Sequence, residues 1–146
     1  MEIFHRPPTA KGPPATFTGD EWVDGFYAGP SQEQVRLSVV RFAPGARSHW
    51  HSHRLGQVLH VLDGIALLGS RDGTALLGSR DSTVIEAHPG DTIYTAPGEE
   101  HWHGAAPGHF MAHLVLMEGD GSDEPQTVWG EAVSGSDYQA PRTLTR

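Results

Sequence analysis

Residues 45–57 have the sequence GARSHWHSHRLGQ, and residues 98–103, far downstream, have the sequence GEEHWH. Side chains alternate between the two faces of an extended strand, so histidines separated by one residue share a face. Two such strands would together present five imidazoles to one interior: His49, His51, His53, His101 and His103. A divalent cation needs three or four such donors at about 2 Å. The two stretches therefore predict a divided metal site.

The residues around these histidines resemble the two sequence motifs of the cupin family. The first motif is matched in spacing by Gly45, His51, His53, Gln57 and Gly64. The second motif is matched in spacing by Gly90, Ala96, Pro97, Gly98, His101 and Ala105. Alanine at 96 and 105 replaces the usual proline and asparagine and affects local turns, whereas glutamine at 57 replaces the usual glutamate and changes the site chemistry. The resemblance implies an all-β, single-domain cupin, that is, a double-stranded β-helix or jelly-roll barrel.

A narrower resemblance, to the small bacterial manganese-binding cupins, covers almost the whole chain. It is carried by residues 11–19, 44–47, 97–106 and 111–114. This group includes the cupin hydroxynitrile lyases, which cleave cyanohydrins such as mandelonitrile into an aldehyde and HCN. The resemblance implies four metal ligands: His51, His53, Gln57 and His101. It also implies that His113 handles the substrate proton, and that His103 and Ser48 line the same pocket.

Length and composition fit one modest β domain. A chain of 146 residues can bury roughly two thirds of its extended surface, and 18 glycines and 11 prolines favour many short strands joined by turns. A formal net charge of −8 argues against nucleic acid or an anionic membrane as a partner, and the lack of cysteine excludes disulfides and thiol catalysis. The sequence shows neither a long apolar run nor a signal peptide, so we expect a cytoplasmic protein.

The chain divides into three predicted parts. Residues 1–34, rich in proline and glycine with spaced aromatic residues, predict an N-terminal arm, and residues 35–117 form the cupin barrel. Residues 118–146 predict an acidic linker followed by a short helix or tail. The helix is predicted from the helical spacing of Val128, Trp129, Ala132 and Val133. The resemblance to small cupins implies a homodimer, with a tetramer as the alternative, and the arm suits exchange between subunits.

Alternating residues predict strands within the barrel at 35–42, 57–62, 84–88 and 110–117. The second of these would point Gln57 toward the site and His60 away from it. In the last one, His113 shares a face with Met111 and Val115, so it can point inward with the proposed ligands.

A nine-residue segment of the barrel is duplicated in tandem. Residues 66–74 have the sequence ALLGSRDGT, and residues 75–83 repeat it with one change, ALLGSRDST. One copy exceeds the usual spacer between the cupin motifs, so we expect an enlarged hairpin or loop. The alternative is a new strand edge that pairs with another chain. If the extra residues were absorbed in a strand, their odd number would reverse the faces that follow and misplace His101.

The implied ligand set is uncharged, which shapes the predicted chemistry. Three imidazoles and one amide oxygen would leave a divalent ion its full charge, so it would act as a stronger Lewis acid than an ion held by a carboxylate. Nitrogen and oxygen ligation suits Mn(II), which the resemblance favours, or Fe(II), and admits Ni(II), Co(II) or Zn(II). Four protein ligands would leave one or two positions for water or a small-molecule substrate.

We predict lyase-type cleavage or formation of a carbon-carbon bond. His113 would accept the hydroxyl proton of a cyanohydrin, while the metal and His103 stabilise the departing cyanide. The same groups could bind an enolate and catalyse a retro-aldol reaction, a decarboxylation or an isomerisation. Two alternatives stay open: a manganese or iron dioxygenase that cleaves a C=C bond, and a cupin that binds metal or a small molecule without catalysis. Oxygen consumption separates the lyase from the dioxygenase.

Overall fold

The computed structural model describes residues 1–29, 35–71, 84–122 and 124–144. Its elements, in chain order, are β1 (Ala10–Lys11), β2 (Phe17–Thr18), β3 (Glu21–Ala28), β4 (Arg36–Phe42), β5 (Arg47–Ser48), β6 (His51–His53), β7 (Gln57–Gly64), β8 (Ala66–Ser70), β9 (Val84–Ala87), β10 (Thr92–Thr95), β11 (His101–Ala105), β12 (Met111–Met117), β13 (Thr127–Trp129), α1 (Gly135–Tyr138) and β14 (Arg142–Leu144). The prediction of an all-β fold is confirmed. Across these ranges, no helix is long and apolar enough to cross a membrane.

The strands form two sheets. One has the order β1-β3-β4-β12-β7-β10, and the other has the order β13-β6-β11-β8-β9-β14, with the short pair β2-β5 attached through β11. Neighbouring strands are antiparallel except β9 and β14. The chain changes sheet at most connections between β4 and β13, and the fold is the predicted jelly roll. Strands β4, β7, β9 and β12 lie where the alternation of residues predicts them.

The main core lies between the two sheets, because apolar side chains from both inner faces share one cluster. The first sheet contributes Val40, Phe42, Leu59, Val61, Ile93, Met111 and Val115. The second sheet contributes Ala66, Leu68, Ala87 and Ala105. Burying this surface is the main favourable contribution to folding. Strand β11, which carries His101 and His103, contributes Ala105 to this core.

The end of β7 explains the glycine of the first motif. Gly64 has a φ of 77°, and a Cβ atom there would lie 1.7 Å from the carbonyl oxygen of Phe110. Only glycine fits this crossing between β7 and β12. A β-bulge follows, because Ala112 pairs with Asp63 whereas His113 pairs with Val61. The extra residue lies in β7, so β12 keeps its alternation and His113 points inward.

Strand β3 lies inside the segment predicted as an N-terminal arm. It pairs with β4 along its length and belongs fully to the first sheet. The sequence does not predict it, because two of its buried positions carry the acidic residues Glu21 and Asp24, each only 1% exposed. Arg6 and Arg41 form ion pairs with Asp24. A register shift between Gly25 and Tyr27 further interrupts the alternation.

The C-terminal segment covers the outer face of the second sheet. Its side chains join a second apolar cluster with residues of β8, β9, β11 and the turn before β6: Trp50, Leu67, Val84, Trp102, Ala106, Val133 and Tyr138. The hydroxyl of Tyr138 donates a hydrogen bond to the carbonyl oxygen of Ala105 at 2.7 Å. The guanidinium of Arg47 stacks on the Tyr138 ring at 4.5 Å. Val133 and Tyr138 therefore stabilise the sheet that carries the histidines.

The prediction that Val128 and Trp129 belong to a C-terminal helix is wrong. Val128 and Trp129 lie in β13, which pairs with β6. Within the described part of the chain, the single helical turn is α1, and the side chain of Ser134 caps it by accepting a hydrogen bond from the Asp137 amide. The apolar residues at helical spacing are divided between a strand and the outer apolar cluster, because β13 completes the edge of the sheet beside β6.

The first copy of the duplicated segment supplies β8. This strand pairs with β11 on one side and β9 on the other. Gly69 is required there, because a Cβ atom would lie 2.2 Å from Nε1 of the buried Trp102. Residues 72–83, which include the whole second copy, fall outside the described residues, and so does the predicted enlarged loop. The register of β11 against β8 places His101 on the inner face, so the duplication does not misplace this histidine.

Candidate metal centre

Three histidines from adjacent strands converge on the inner face of the second sheet. His51 and His53 lie in β6 and His101 lies in β11, where it is directly opposite His51. One ring nitrogen from each lies within 4.8 Å of those of the other two. The centroids of the His51 and His101 rings are 4.3 Å apart, and all three side chains are buried. This cluster could hold a divalent metal ion.

Backbone carbonyls set the tautomers of two of these histidines. Nδ1 of His51 lies 2.9 Å from the carbonyl oxygen of His49, and Nδ1 of His101 lies 2.9 Å from that of Glu99. A carbonyl oxygen only accepts hydrogen bonds, so each Nδ1 carries the proton and donates it. Each Nε2 therefore presents a lone pair to the centre of the cluster, as a metal ligand must.

His53 is oriented by a residue that the sequence does not predict. Its Nδ1 lies 3.0 Å from the hydroxyl oxygen of Thr127, on the neighbouring strand β13. Its Nε2 is buried and has no hydrogen-bond partner in the described part of the chain. A buried polar atom without a partner is costly, and a metal ion among the three nitrogens would satisfy it.

Gln57 directs its amide oxygen to the same point. Oε1 lies 3.3 Å from Nε2 of His101, and the amide nitrogen donates to Sδ of Met117 at 3.7 Å. Since the Nε2 of His101 carries a lone pair, two acceptors face each other there, an arrangement that is unfavourable without positive charge nearby. A cation between them would turn this repulsion into attraction. The donor set therefore fits a divalent metal.

Burial lowers the pKa values of all five histidines around the site. The pKa of His53 and that of His113 fall to about 4, and those of His51, His101 and His103 are also lowered. Burial is the largest cause in each case, and repulsion from neighbouring imidazoles adds to it at His51, His53 and His103. The rings are therefore neutral at neutral pH, which is the form that binds metal.

A second histidine pair lies beside the cluster. Nε2 of His113 is 3.3 Å from Nδ1 of His103, and the His103 ring centroid is 5.1 Å from that of His51. The ring of Phe42 packs against both, with centroids 5.7 and 5.8 Å away. Ser48 accepts a hydrogen bond from the His103 backbone amide at 3.1 Å through its hydroxyl oxygen. Ser48 thus holds the strand that carries His103.

His49 is the one predicted member that the structure does not bring into the cluster. The chain leaves the extended conformation between β5 and β6, so the alternation from residue 49 to 53 is broken. The amide of His49 donates to the carbonyl oxygen of Thr16, and that of Trp50 donates to the carbonyl oxygen of Glu131. His113 completes the group of five instead. The sequence has no local signal for this break, which depends on contacts with distant segments.

Comparison with known proteins agrees with this geometry. Residues 38–118 match the Cupin domain model, more than half of the chain, and the protein belongs to the cupin family. The (R)-mandelonitrile lyase of Granulicella tundricola is 40% identical to it over 131 residues, which cover 90% of this chain and 92% of that protein. The resemblance inferred from the two motifs is confirmed.

Solved structures show the same fold. A cupin-like protein of Thermotoga maritima is 31% identical, with a TM-score of 0.76 over 95% of this chain and 96% of that one. A polyketide cyclase of Streptomyces resistomycificus has a TM-score of 0.67 over 95% of this chain and 91% of that one. The cyclase is only 20% identical, so this likeness concerns the fold alone.

Proposed function

We propose that this protein is a metal-dependent lyase that converts a cyanohydrin into an aldehyde and HCN. One observation carries the proposal: uncharged metal donors converge in a buried site, and a hydrogen-bonded pair of neutral histidines lies beside them. The proposed ligands are His51, His53, His101 and Gln57, with Mn(II) as the favoured ion. The similarity to a protein named (R)-mandelonitrile lyase supports this choice of reaction.

The bound ion would supply Lewis-acid polarisation at a site that carries no carboxylate ligand. The chain's own task is to keep its donors neutral and aligned. The backbone acceptors of His51 and His101, and the hydroxyl of Thr127 beside His53, orient these rings before any ligand binds. Preorganised groups need no rearrangement during the reaction, which is the main source of electrostatic catalysis.

The His103 and His113 pair is suited to moving one proton. Between two neutral rings 3.3 Å apart, one nitrogen donates and the other accepts. In the proposed step His113 accepts the hydroxyl proton of a cyanohydrin; its Nδ1 is buried and makes no side-chain hydrogen bond among the described residues. As that proton leaves, the electrons of the O–H bond form the carbonyl double bond, and cyanide departs with the electrons of the C–CN bond. The two histidines then return one proton to cyanide, which gives HCN.

The experiment combines metal analysis with turnover. Protein purified without added metal is analysed for first-row metals, and benzaldehyde release from mandelonitrile is followed under nitrogen and under air. We expect bound manganese or iron and release that does not depend on oxygen. His51→Ala should lose metal and activity, and His113→Ala should keep metal and lose activity. His60→Ala is the matched control, because His60 lies on the opposite face of β7, bonded to Thr92.

Three outcomes would contradict the proposal. Metal-loaded protein that consumes oxygen with unsaturated or phenolic substrates, but releases no benzaldehyde, would favour the dioxygenase. Metal-loaded protein inactive with both classes would favour a binding cupin. Protein that neither contains nor takes up a first-row metal would remove the site assignment itself. A homodimer and a cytoplasmic location stay predictions, and sedimentation of the purified protein would test the first.

A further inference from the structure

Trp129 lies directly beside the proposed metal site and has no part in the mechanism above. It is opposite His51 in the pairing of β13 with β6, so both side chains point to the same face. The two ring centroids are 4.7 Å apart and the ring planes are inclined by 33°. Trp129 is 41% exposed, whereas His51 is 2% exposed. The indole therefore extends from the buried imidazoles to the solvent.

Two phenylalanines continue this surface inward. The Phe17 ring meets Trp129 edge-on at 5.5 Å and lies 6.1 Å from the ring of Phe42. Phe42 in turn packs against both rings of the His103 and His113 pair. We call Trp129, Phe17 and Phe42 the aromatic wall. It connects the solvent with the proposed proton-transfer pair along one side of the site.

We propose that Trp129 determines substrate specificity by holding the aromatic ring of the substrate against its exposed face. Because the indole also packs on His51, a ring held on its exposed part would lie beside the proposed metal ligands. Ring pairs in offset or edge-on contact gain about 0.5 to 1.5 kcal/mol beyond the burial of their area, which corresponds to about two- to tenfold in affinity. A saturated ring of the same size gains only the burial. The effect on catalysis rests on the proposed function, whereas the binding of an aromatic ring to Trp129 does not.

A separate groove also has a proposed ligand in its lining. Gln57 lines it together with apolar and acidic side chains: Leu55, Val58, Tyr94, Leu116 and Glu118. Its aromatic residue, Tyr94, is 59% exposed and projects from the outer face of the first sheet. It is not part of the aromatic wall. Tyr94 therefore provides a matched control, because its loss removes an exposed aromatic ring near a proposed ligand without touching the wall.

The test compares benzyl alcohol with cyclohexylmethanol as probes of the metal-loaded protein. Both carry one hydroxymethyl group on a six-membered ring, and calorimetric titration measures their binding without turnover. We expect the unmodified protein to prefer benzyl alcohol about two- to tenfold. Trp129→Leu should abolish the preference, Trp129→Phe should retain most of it, and Tyr94→Leu should leave it unchanged. Trp129→Phe also keeps the test valid if the leucine variant folds poorly.

A kinetic comparison then links binding to catalysis. With mandelonitrile, Trp129→Leu should raise KM by a similar factor, whereas KM for the cyclohexyl cyanohydrin should change little. The inference is overturned if the unmodified protein shows no ring preference, if Trp129→Leu keeps it, or if Tyr94→Leu removes it. A preference that depends on Trp129 in a protein without lyase activity would leave this inference standing and overturn the proposed function alone.

Discussion

Replacing Glu21 with glutamine tests how the fold tolerates a buried acid. Glu21 lies at the start of β3, opposite Phe42, and is 1% exposed. Both of its carboxyl oxygens are buried without a hydrogen-bond partner among the described residues. A Cβ atom added to Gly12 would lie 1.9 Å from Oε2, which shows how closely the chain packs around this group. Burial raises the pKa of Glu21 from 4.5 to about 7.

The size and sign of the effect follow from this pKa. Between pH 4.5 and about 7 the folded protein keeps the proton on Glu21, whereas the unfolded chain has lost it. Folded stability from this group is therefore complete below pH 4.5 and is lost as the pH rises to about 7. Each pKa unit corresponds to about 1.36 kcal/mol, so the whole loss is about 3 kcal/mol. Glutamine has no proton to lose and should remove this dependence.

The measurement is the difference in free energy of unfolding between Glu21→Gln and the unmodified protein, from urea denaturation at pH 5 and pH 8.5. Packing changes are the same at both pH values, and the other groups titrate alike in both proteins. Both effects therefore cancel in this comparison. We expect the difference to shift by about 3 kcal/mol in favour of the variant at the higher pH. Glu21→Met should give the same shift. A difference that is independent of pH in both variants would refute the reasoning.

Three further changes have defined outcomes. Gly69→Ala places a methyl group against a buried indole and should cost about 1 to 3 kcal/mol in urea denaturation, by overpacking the outer cluster. Gln57→Glu adds a negative charge beside the proposed ligands, so it should tighten Mn(II) binding in calorimetry and slow mandelonitrile cleavage; faster cleavage would contradict the importance of a neutral ligand set. In metal-free protein, burial lowers the pKa of His53 and that of His113 to about 4, so the unfolded chain binds their protons more readily. The free energy of unfolding should therefore fall as the pH drops from 6.5 to 4, by up to about 3 kcal/mol for each histidine. The Glu21→Gln variant is the background for this measurement, because it removes the titration of Glu21.

The parts of the site that depend on local spacing could be predicted from the sequence. His51, His53 and His101 converge because alternation within a strand is a local property, and Gln57 follows from the motif that resembles the cupin family. His113 lies far along the chain, and its inward direction could be predicted because β12 keeps its alternation through the bulge. The same pattern mispredicted His49, since the strand is interrupted by contacts with residues that are distant in sequence.

The contributions of strand edges could not be predicted. The apolar spacing around Trp129 is equally compatible with a helix, and only the edge of the sheet beside β6 makes it a strand. For this reason both Thr127, which orients His53, and Trp129, which packs on His51, were missing from the sequence-based site. Strand β3 was missed because its buried acids do not resemble a core pattern. In each case the decisive partner lies on another strand.

The orientation of two ligands by their own strands has a consequence for protein design. His51 and His101 each donate a hydrogen bond to a carbonyl oxygen two residues upstream, so the tripeptide that contains the imidazole also contains the acceptor that orients it. Neighbouring side chains can therefore change without releasing the ring, and such a tripeptide could be grafted onto a foreign sheet as a complete unit. His53 lacks this autonomy, because its alignment comes from Thr127 on a separate strand. A graft of the full triad would have to carry that hydroxyl as a second piece.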